Sequence, residues 1–117
     1  MYNQNNVFAK IIKGDIPCNK IYENEYALSF YDINPQAPIH FLVIPKKSYI
    51  DIIDFSLNAS ALECQMFYQA IEKSVSLLKI SNGFRVISNC GINGCQEVPH
   101  FHYHILAGKN LGKMICI

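Results

Sequence analysis

Three histidines alternate with aromatic residues in a short segment near the C-terminus. His100, His102 and His104 are each separated by one residue, and the only other histidine in the chain is His40. Alternate side chains of a β-strand point to the same face, so the spacing predicts a row of imidazoles on one side of a strand. The ordinary pKa of histidine is about 6.5, so at neutral pH one ring can act as a nucleophile while a neighbour carries a proton.

Two other interpretations of this row compete with catalysis. A structural role is less common for three alternating histidines than for one, because each ring would need its own hydrogen-bond partner. In a metal site, neutral imidazoles two residues apart on a strand can both reach a zinc ion. Carboxylate and thiolate partners are missing beside the row, which disfavours a metalloenzyme. The segment therefore favours catalysis.

The composition is typical of a single folded domain. The chain has 117 residues, of which 50% are apolar and 16% charged, and this predicts a single domain over residues 1–117. A net charge of +1 gives no broad basic field, so no nucleic-acid partner is expected. The five cysteines are odd in number and form no Cys-x-x-Cys pair, which favours a reducing compartment. Without a signal-like or membrane-spanning run, the chain is expected to be cytoplasmic, with no membrane partner.

The elements that must position the histidines follow from periodicity. Apolar spacing predicts a short helix over residues 7–13 that stops at Gly14. A capping box formed by Ser60 and Glu63 begins a long helix, and Asn82–Gly83 is expected to end it. Five strands are predicted, over residues 20–23, 26–31, 39–44, 84–89 and 98–106. Asn93–Gly94 is a hairpin-type turn signal between the last two strands. This order predicts an α+β fold with helices packed on an antiparallel sheet of about five strands.

Two sequence blocks together carry a family resemblance. The first is His-x-His-x-His followed by apolar residues at 100–106, and the second is FYDINPQAPIHFLVIPKK at 30–47. Asn89, Gly91, Gln96 and Val98 match positions before the histidines. From about Val7 to Gly108 the chain closely resembles the histidine triad (HIT) superfamily, and within it the Hint branch of purine nucleoside phosphoramidases.

The resemblance implies a covalent mechanism on the histidine row. His102 would be the nucleophile that attacks the α-phosphorus of a nucleotide, and water would then hydrolyse the nucleotidyl-imidazole intermediate. His104 would contact the phosphate oxygens and help to protonate the leaving amine. His100 and His40 would lie behind these rings and fix their tautomers.

The resemblance also implies the residues that hold the nucleotide. Asp32 would accept hydrogen bonds from the ribose hydroxyls. Asn89 and the segment of Gln96, Glu97 and Val98 would hold the phosphate. The apolar pocket for the base would be formed by Val7, Phe8, Ile11, Phe30, Tyr31, Ile33 and Leu42.

The chain departs from the family pattern at several positions. Some HIT proteins hold a structural zinc with residues that here are Asn6, Ala9 and Ser48. Only one of the four ligand positions of that zinc site, a histidine of the row, is kept in this sequence. The sequence therefore predicts no metal and no cofactor. Glu97 stands where many Hint proteins have serine or threonine near the leaving group, and Cys95 replaces a usual glycine.

The implied function is hydrolysis of purine nucleoside phosphoramidates by a homodimer that pairs through the long helix and the strand near Asn89. The ligand would be an AMP- or GMP-type purine nucleotide. His104 argues against the transferase branch, which usually has glutamine there. Two alternatives stay open, a dinucleoside polyphosphate hydrolase and a non-catalytic module that binds a nucleotide or a protein partner.

Overall fold

The protein folds as an antiparallel five-stranded sheet with three helices, which confirms the α+β prediction. The computed structural model describes residues 1–115, so one of the five cysteines, Cys116, lies outside the described residues. The strands, in the spatial order β1-β2-β3-β5-β4, are β1 (Lys20–Glu23), β2 (Ala27–Tyr31), β3 (Ile39–Pro45), β4 (Arg85–Ile87) and β5 (Tyr103–Ala107). The helices are α1 (Val7–Lys13), α2 (Ile52–Asn58) and α3 (Ala61–Leu77).

Both predicted helix starts are confirmed by their caps. The Asn6 side chain accepts from the amide of Ala9 at the start of α1, and Gly14 ends that helix with a φ of 86°. At the start of α3, Ser60 and Glu63 form the full capping box. No helix in residues 1–115 is long and apolar enough to cross a lipid bilayer.

Two features of the helical layer differ from the prediction. Helix α3 ends at Leu77 rather than at Asn82–Gly83, because Lys79 already has a φ of 53°, outside the helical region. Asn82 and Gly83 do have positive φ, but they turn the following loop. The sequence analysis missed α2, which begins where the Asp51 side chain accepts from the Asp54 amide. Its 7 residues are too few for a clear period.

The two faces of the sheet carry different apolar clusters. Beneath α3, the aromatic rings of Phe67 and Phe101 stack with centroids 5.1 Å apart at the centre of the larger cluster. On the opposite face, α1 covers a smaller cluster formed by Phe8, Leu28, Phe30, Leu42 and Ile44. Neighbouring residues of β2 and β3 alternate between these clusters, as the period of two in a strand requires. The cavity described below opens on the α1 face.

The last strand is shorter than predicted but keeps the predicted alternation. Strand β5 begins at Tyr103, so His100 and His102 precede it rather than lie in it. Pro99 has no amide hydrogen to give to a ladder, and the Phe101 amide donates instead to the Tyr49 carbonyl. The predicted tight hairpin at Asn93–Gly94 is also wrong, because a long loop joins β4 to β5 and the positive φ angles there belong to Gly91 and Cys95.

Only part of the apolar stripe of α3 is buried. Phe67, Ala70 and Ile71 are buried, whereas Leu62 and Leu77 are 49% and 59% exposed. Strand β4, at the edge of the sheet, also carries half-exposed apolar side chains. Both elements therefore present apolar side chains at the surface.

Candidate active site

A cavity of about 570 Å³ lies between α1, the strands β2, β3 and β5, and the loop that precedes the histidine row. It brings together all the predicted site residues except His100 and Gln96. The predicted residues that line it are Val7, Phe8, Ile11, Phe30, Tyr31, Asp32, Ile33, His40, Leu42, Asn89, Glu97, Val98, His102 and His104. Tyr31 also packs against the cluster beneath α3, so it serves the core as well as the cavity.

A hydrogen bond fixes the tautomer of His102 and leaves its Nε2 unprotonated. Its Nδ1 lies 2.7 Å from the backbone carbonyl oxygen of His100, which can only accept a hydrogen bond. Nδ1 therefore carries the proton of the neutral ring, and Nε2 keeps a lone pair. The edge of the ring meets Phe8, with centroids 5.0 Å apart. Such a ring is prepared to attack an electrophile through Nε2.

His104 has the opposite tautomer. The Gln36 amide donates to Nδ1 of His40 over 3.1 Å, so neutral His40 carries its proton on Nε2. That nitrogen lies 2.9 Å from Nδ1 of His104, which must accept. The proton of neutral His104 is therefore on Nε2. His40 and His104 are diagonal neighbours on the paired strands β3 and β5, where His40 pairs with Leu106 and His104 with Leu42.

His100 lies behind the cavity and is fully buried. Its Nε2 donates to the Pro45 carbonyl over 2.8 Å, and its Nδ1 lies within hydrogen-bond distance of the Tyr2 hydroxyl. Its backbone carbonyl holds His102. Tyr2 and Gln36 are not predictable from the sequence, because nothing in a terminal segment or a proline-rich loop signals a contact with a distant ring.

Burial lowers the pKa of all four histidines. For His100 and His104 the pKa falls to about 4, chiefly through desolvation, and for His104 the neighbouring imidazoles His102 and His40 lower it further. The pKa values of His102 and His40 are also below the ordinary value, again through burial, although Asp32 opposes the change at both. Burial therefore favours the neutral form of each ring in the unliganded cavity.

Asp32 begins a turn and also faces the histidines. One carboxylate oxygen accepts from the Asn34 amide over 2.8 Å, while the other lies 3.4 Å from Nε2 of His40 and 4.0 Å from Nδ1 of His104. These two roles use different oxygens, so a turn at Asp32 is compatible with a carboxylate that faces the cavity.

Asp32, His40 and His104 form the one cluster with metal-like spacing in residues 1–115, since their ligand atoms lie within 4.8 Å of one another. The tautomers do not suit a metal. Because the Gln36 amide occupies Nδ1 of His40, Nε2 carries a proton and has no lone pair to give. That proton in turn occupies Nδ1 of His104. The cluster is a chain of hydrogen bonds rather than a set of open ligands.

The loop before the histidines is held by side-chain amides. Gln96 donates to the carbonyls of Ile50 and Val98 over 2.7 and 3.0 Å and accepts from the Gly91 amide, which explains why its side chain is turned away from the cavity. Asn89 donates to the Gly94 carbonyl over 2.6 Å. Cys95 has a φ of 58°, a conformation that glycine adopts more readily.

The charge of the cavity is unusual for a site expected to hold a phosphate. Its lining includes two carboxylates, Asp32 and Glu97, but neither lysine nor arginine. With the histidines neutral, positive charge is lacking in the lining. Phosphate binding there must rely on N–H groups of the imidazoles, the Asn89 side chain and the backbone.

Comparison with known proteins gives one consistent family. The model of the HIT domain matches residues 13–111. An uncharacterized 13.2 kDa HIT-like protein of Azospirillum brasilense is 50% identical over 97% of this chain and 94% of its own length. A 14 kDa zinc-binding protein of Zea mays is 37% identical over 90% and 83%.

Solved structures give the same result. A HIT family hydrolase from Clostridium thermocellum superposes with a TM-score of 0.87 at 38% identity, over 97% of this chain and 99% of that one. A histidine triad protein from Clostridium difficile has a TM-score of 0.85 at 43% identity, over 98% and 100%.

Proposed function

The chain belongs to the HIT domain family, and from this membership and the cavity we propose that it is a hydrolase of purine nucleoside phosphoramidates. The scissile bond joins the α-phosphorus to an amine nitrogen. The products are a nucleoside monophosphate, of the AMP or GMP type, and a free amine. The reaction needs no cofactor, and the proposed location is the cytoplasm.

The observation that carries the proposal is the complementary pair of tautomers on His102 and His104. One ring offers a lone pair on Nε2 and the other a proton on Nε2, and both line the same cavity. A displacement at phosphorus needs a nucleophile on one side and a proton donor for the leaving nitrogen. Hydrogen bonds to fixed backbone groups set this difference, so the two neighbouring imidazoles do not exchange roles.

The proposed reaction has two steps. In the first, Nε2 of His102 attacks phosphorus, the P–N bond to the amine breaks, and the amine leaves with a proton. In the second, a water oxygen attacks the phosphorus of the nucleotidyl-histidine, the bond to Nε2 of His102 breaks, and the water gives one proton to Nε2 of His104. The substrate phosphate is negative, so it favours positive charge on the neighbouring imidazoles. In the first step the proton on Nε2 of His104 passes to the leaving nitrogen, and the water of the second step replaces it.

The remaining site residues are proposed to bind the nucleotide. Asp32 accepts from the ribose hydroxyls, and Asn89 with the backbone of residues 96–98 holds the phosphate, with His100 and His40 supporting the reacting rings. The apolar residues on α1 and β2, with Phe8 and Phe30 at 5.7 Å between centroids, hold the base.

The charge of the cavity favours an amine leaving group over the alternative, a dinucleoside polyphosphate. A polyphosphate leaving group carries several negative charges, and the lining provides Asp32 and Glu97 without lysine or arginine. Like charges in a partly buried site repel, whereas an amine that leaves with a proton suits these carboxylates. A module that binds a nucleotide without turnover is the remaining candidate, and it predicts binding without release of amine.

A substrate panel tests the proposal. Adenosine and guanosine phosphoramidates are compared with diadenosine polyphosphates, with His102→Ala as the inactive control and Gln4→Ala, at an exposed hydrogen bond to Ser48, as the active control. We expect turnover of the phosphoramidates, and little of the polyphosphates. Faster turnover of the polyphosphates would favour the alternative hydrolase, and binding without turnover would favour the non-catalytic module.

We also propose that two copies pair through the outer side of α3 and the edge strand β4. Leu62, Tyr68 and Leu77 are about half exposed, and so are the apolar residues of β4. Exposed apolar strips of this kind are typical of interfaces. Light scattering at micromolar concentration checks this, and a monomer would contradict it.

A further inference from the structure

The N-terminal segment, residues 1–6, reaches the back of the histidine row. The Tyr2 ring meets His100 edge-on, with centroids 5.5 Å apart, and its hydroxyl lies 2.5 Å from Nδ1 of that histidine. Farther along, Gln4 donates to the Ser48 hydroxyl and Asn6 caps α1. The segment is therefore fastened at three points, of which Tyr2 alone contacts a histidine of the row.

His100 depends on this hydroxyl because of its own tautomer. The proton of the neutral ring is on Nε2, where it is given to the Pro45 carbonyl. Nδ1 then has a lone pair, and the ring is fully buried. The hydrogen bond from Tyr2 satisfies that lone pair, so that no buried side-chain nitrogen or oxygen in residues 1–115 is left without a partner. A buried acceptor without a donor would be costly, so the ring would have to move or admit water.

Movement of His100 would reach His102 through the backbone. The carbonyl that fixes Nδ1 of His102 belongs to His100 itself, at 2.7 Å. The carbonyl and the ring share one residue, so a hydrogen bond that holds the ring also holds the carbonyl. The path from Tyr2 to His102 therefore passes through one residue and two hydrogen bonds.

We propose that Tyr2 is a positioning residue of the active site, which orients His102 through His100. The proposal rests on the proposed function, because it assigns Tyr2 to the attack of His102 on phosphorus. The hydroxyl acts on the geometry of the nucleophile and does not touch the substrate. Tyr2 is absent from the cavity lining, as such a role requires.

The kinetic test compares Tyr2→Phe with Gln4→Ala, which removes a hydrogen bond from the same segment without contact to His100. We expect Tyr2→Phe to lower kcat for an adenosine phosphoramidate about three- to tenfold, since small displacements of a reacting group are enough to slow a reaction. The affinity for AMP should stay within about twofold, because base and ribose contacts are intact. Gln4→Ala should change neither quantity. An unchanged kcat in Tyr2→Phe, or an equal loss in both variants, would overturn the proposal.

A second measurement needs no turnover. The Tyr2 hydroxyl can donate only to unprotonated Nδ1, so it stabilises the neutral form of His100. In an NMR titration of the unliganded protein, we expect Tyr2→Phe to raise the midpoint of His100 by about half a unit or more, and to leave that of His40 unchanged. A general loosening would move both histidines, and no change at His100 would contradict the contact. If the wild-type protein cleaves no phosphoramidate but the midpoint of His100 moves as expected, the proposed function fails while the contact stands.

Discussion

The two sides of the segment from His100 to Ile105 differ in what holds them. On one side, the side chains of Phe101 and Ile105 are buried in the aromatic cluster beneath α3, where packing positions them. On the other side, His100 and His102 are held by hydrogen bonds to backbone carbonyls. Packing fixes where a side chain lies, but only a hydrogen bond fixes where an imidazole carries its proton. The first side should therefore govern stability and the second reactivity.

The largest effect that this comparison predicts is loss of turnover in His102→Ala. Removal of the nucleophile closes the covalent route, so we expect kcat/KM for an adenosine phosphoramidate to fall by more than about 10⁴-fold. Removal of the proton donor in His104→Ala should cost about 10²–10⁴-fold. Steady-state kinetics on both variants measures these losses.

The folded structure of His102→Ala provides the control. The ring meets Phe8 and His104 edge-on, and it belongs to neither apolar cluster. We expect the variant to bind AMP and to unfold in one cooperative transition. Turnover near the wild-type rate would show that His102 is not the nucleophile.

The sequence was most informative where alternation decides the structure. The period of two separated the aromatic side chains from the histidines even though His100 and His102 lie before β5. Asp32 and His40, which also line the cavity, were indicated by the family resemblance and not by this period. The tautomers could not be predicted, because they depend on the His100 and Pro45 carbonyls and on the Gln36 amide, which are backbone groups that every sequence contains.

The next effect concerns the packed side of the segment. Phe101 is 1% exposed and stacks on Phe55 and Phe67. We expect Phe101→Ala to lower the free energy of unfolding by about 3–5 kcal/mol, measured by urea denaturation. The molecules that stay folded should bind AMP with nearly wild-type affinity. A loss below about 1 kcal/mol would mean that the cluster does not hold the segment.

The last effect is the response of stability to acid. Below pH 6.5 the unfolded chain takes up protons at its histidines, whereas burial lowers the pKa of folded His100 and His104 to about 4. Their contribution to the free energy of unfolding is therefore at its full value above pH 6.5, and it is lost as the pH falls from 6.5 towards 4. Each group adds a slope of at most about 1.4 kcal/mol per pH unit.

Denaturation at pH 7, 6 and 5 measures this slope. His104→Gln lacks one of the two groups, so its stability should fall less steeply with acid. Equal stability of the wild-type protein at the three pH values would contradict the lowered pKa values.

The most direct test of the central claim is the site of the covalent adduct. Wild-type protein is mixed with an adenosine phosphoramidate, quenched within milliseconds under alkaline conditions that preserve a phosphorus–imidazole bond, and digested for mass spectrometry. The account predicts one adenylyl group on His102, carried by Nε2, and none in His102→Ala. An adduct on His100 or His104, or turnover without any adduct on His102, would contradict it.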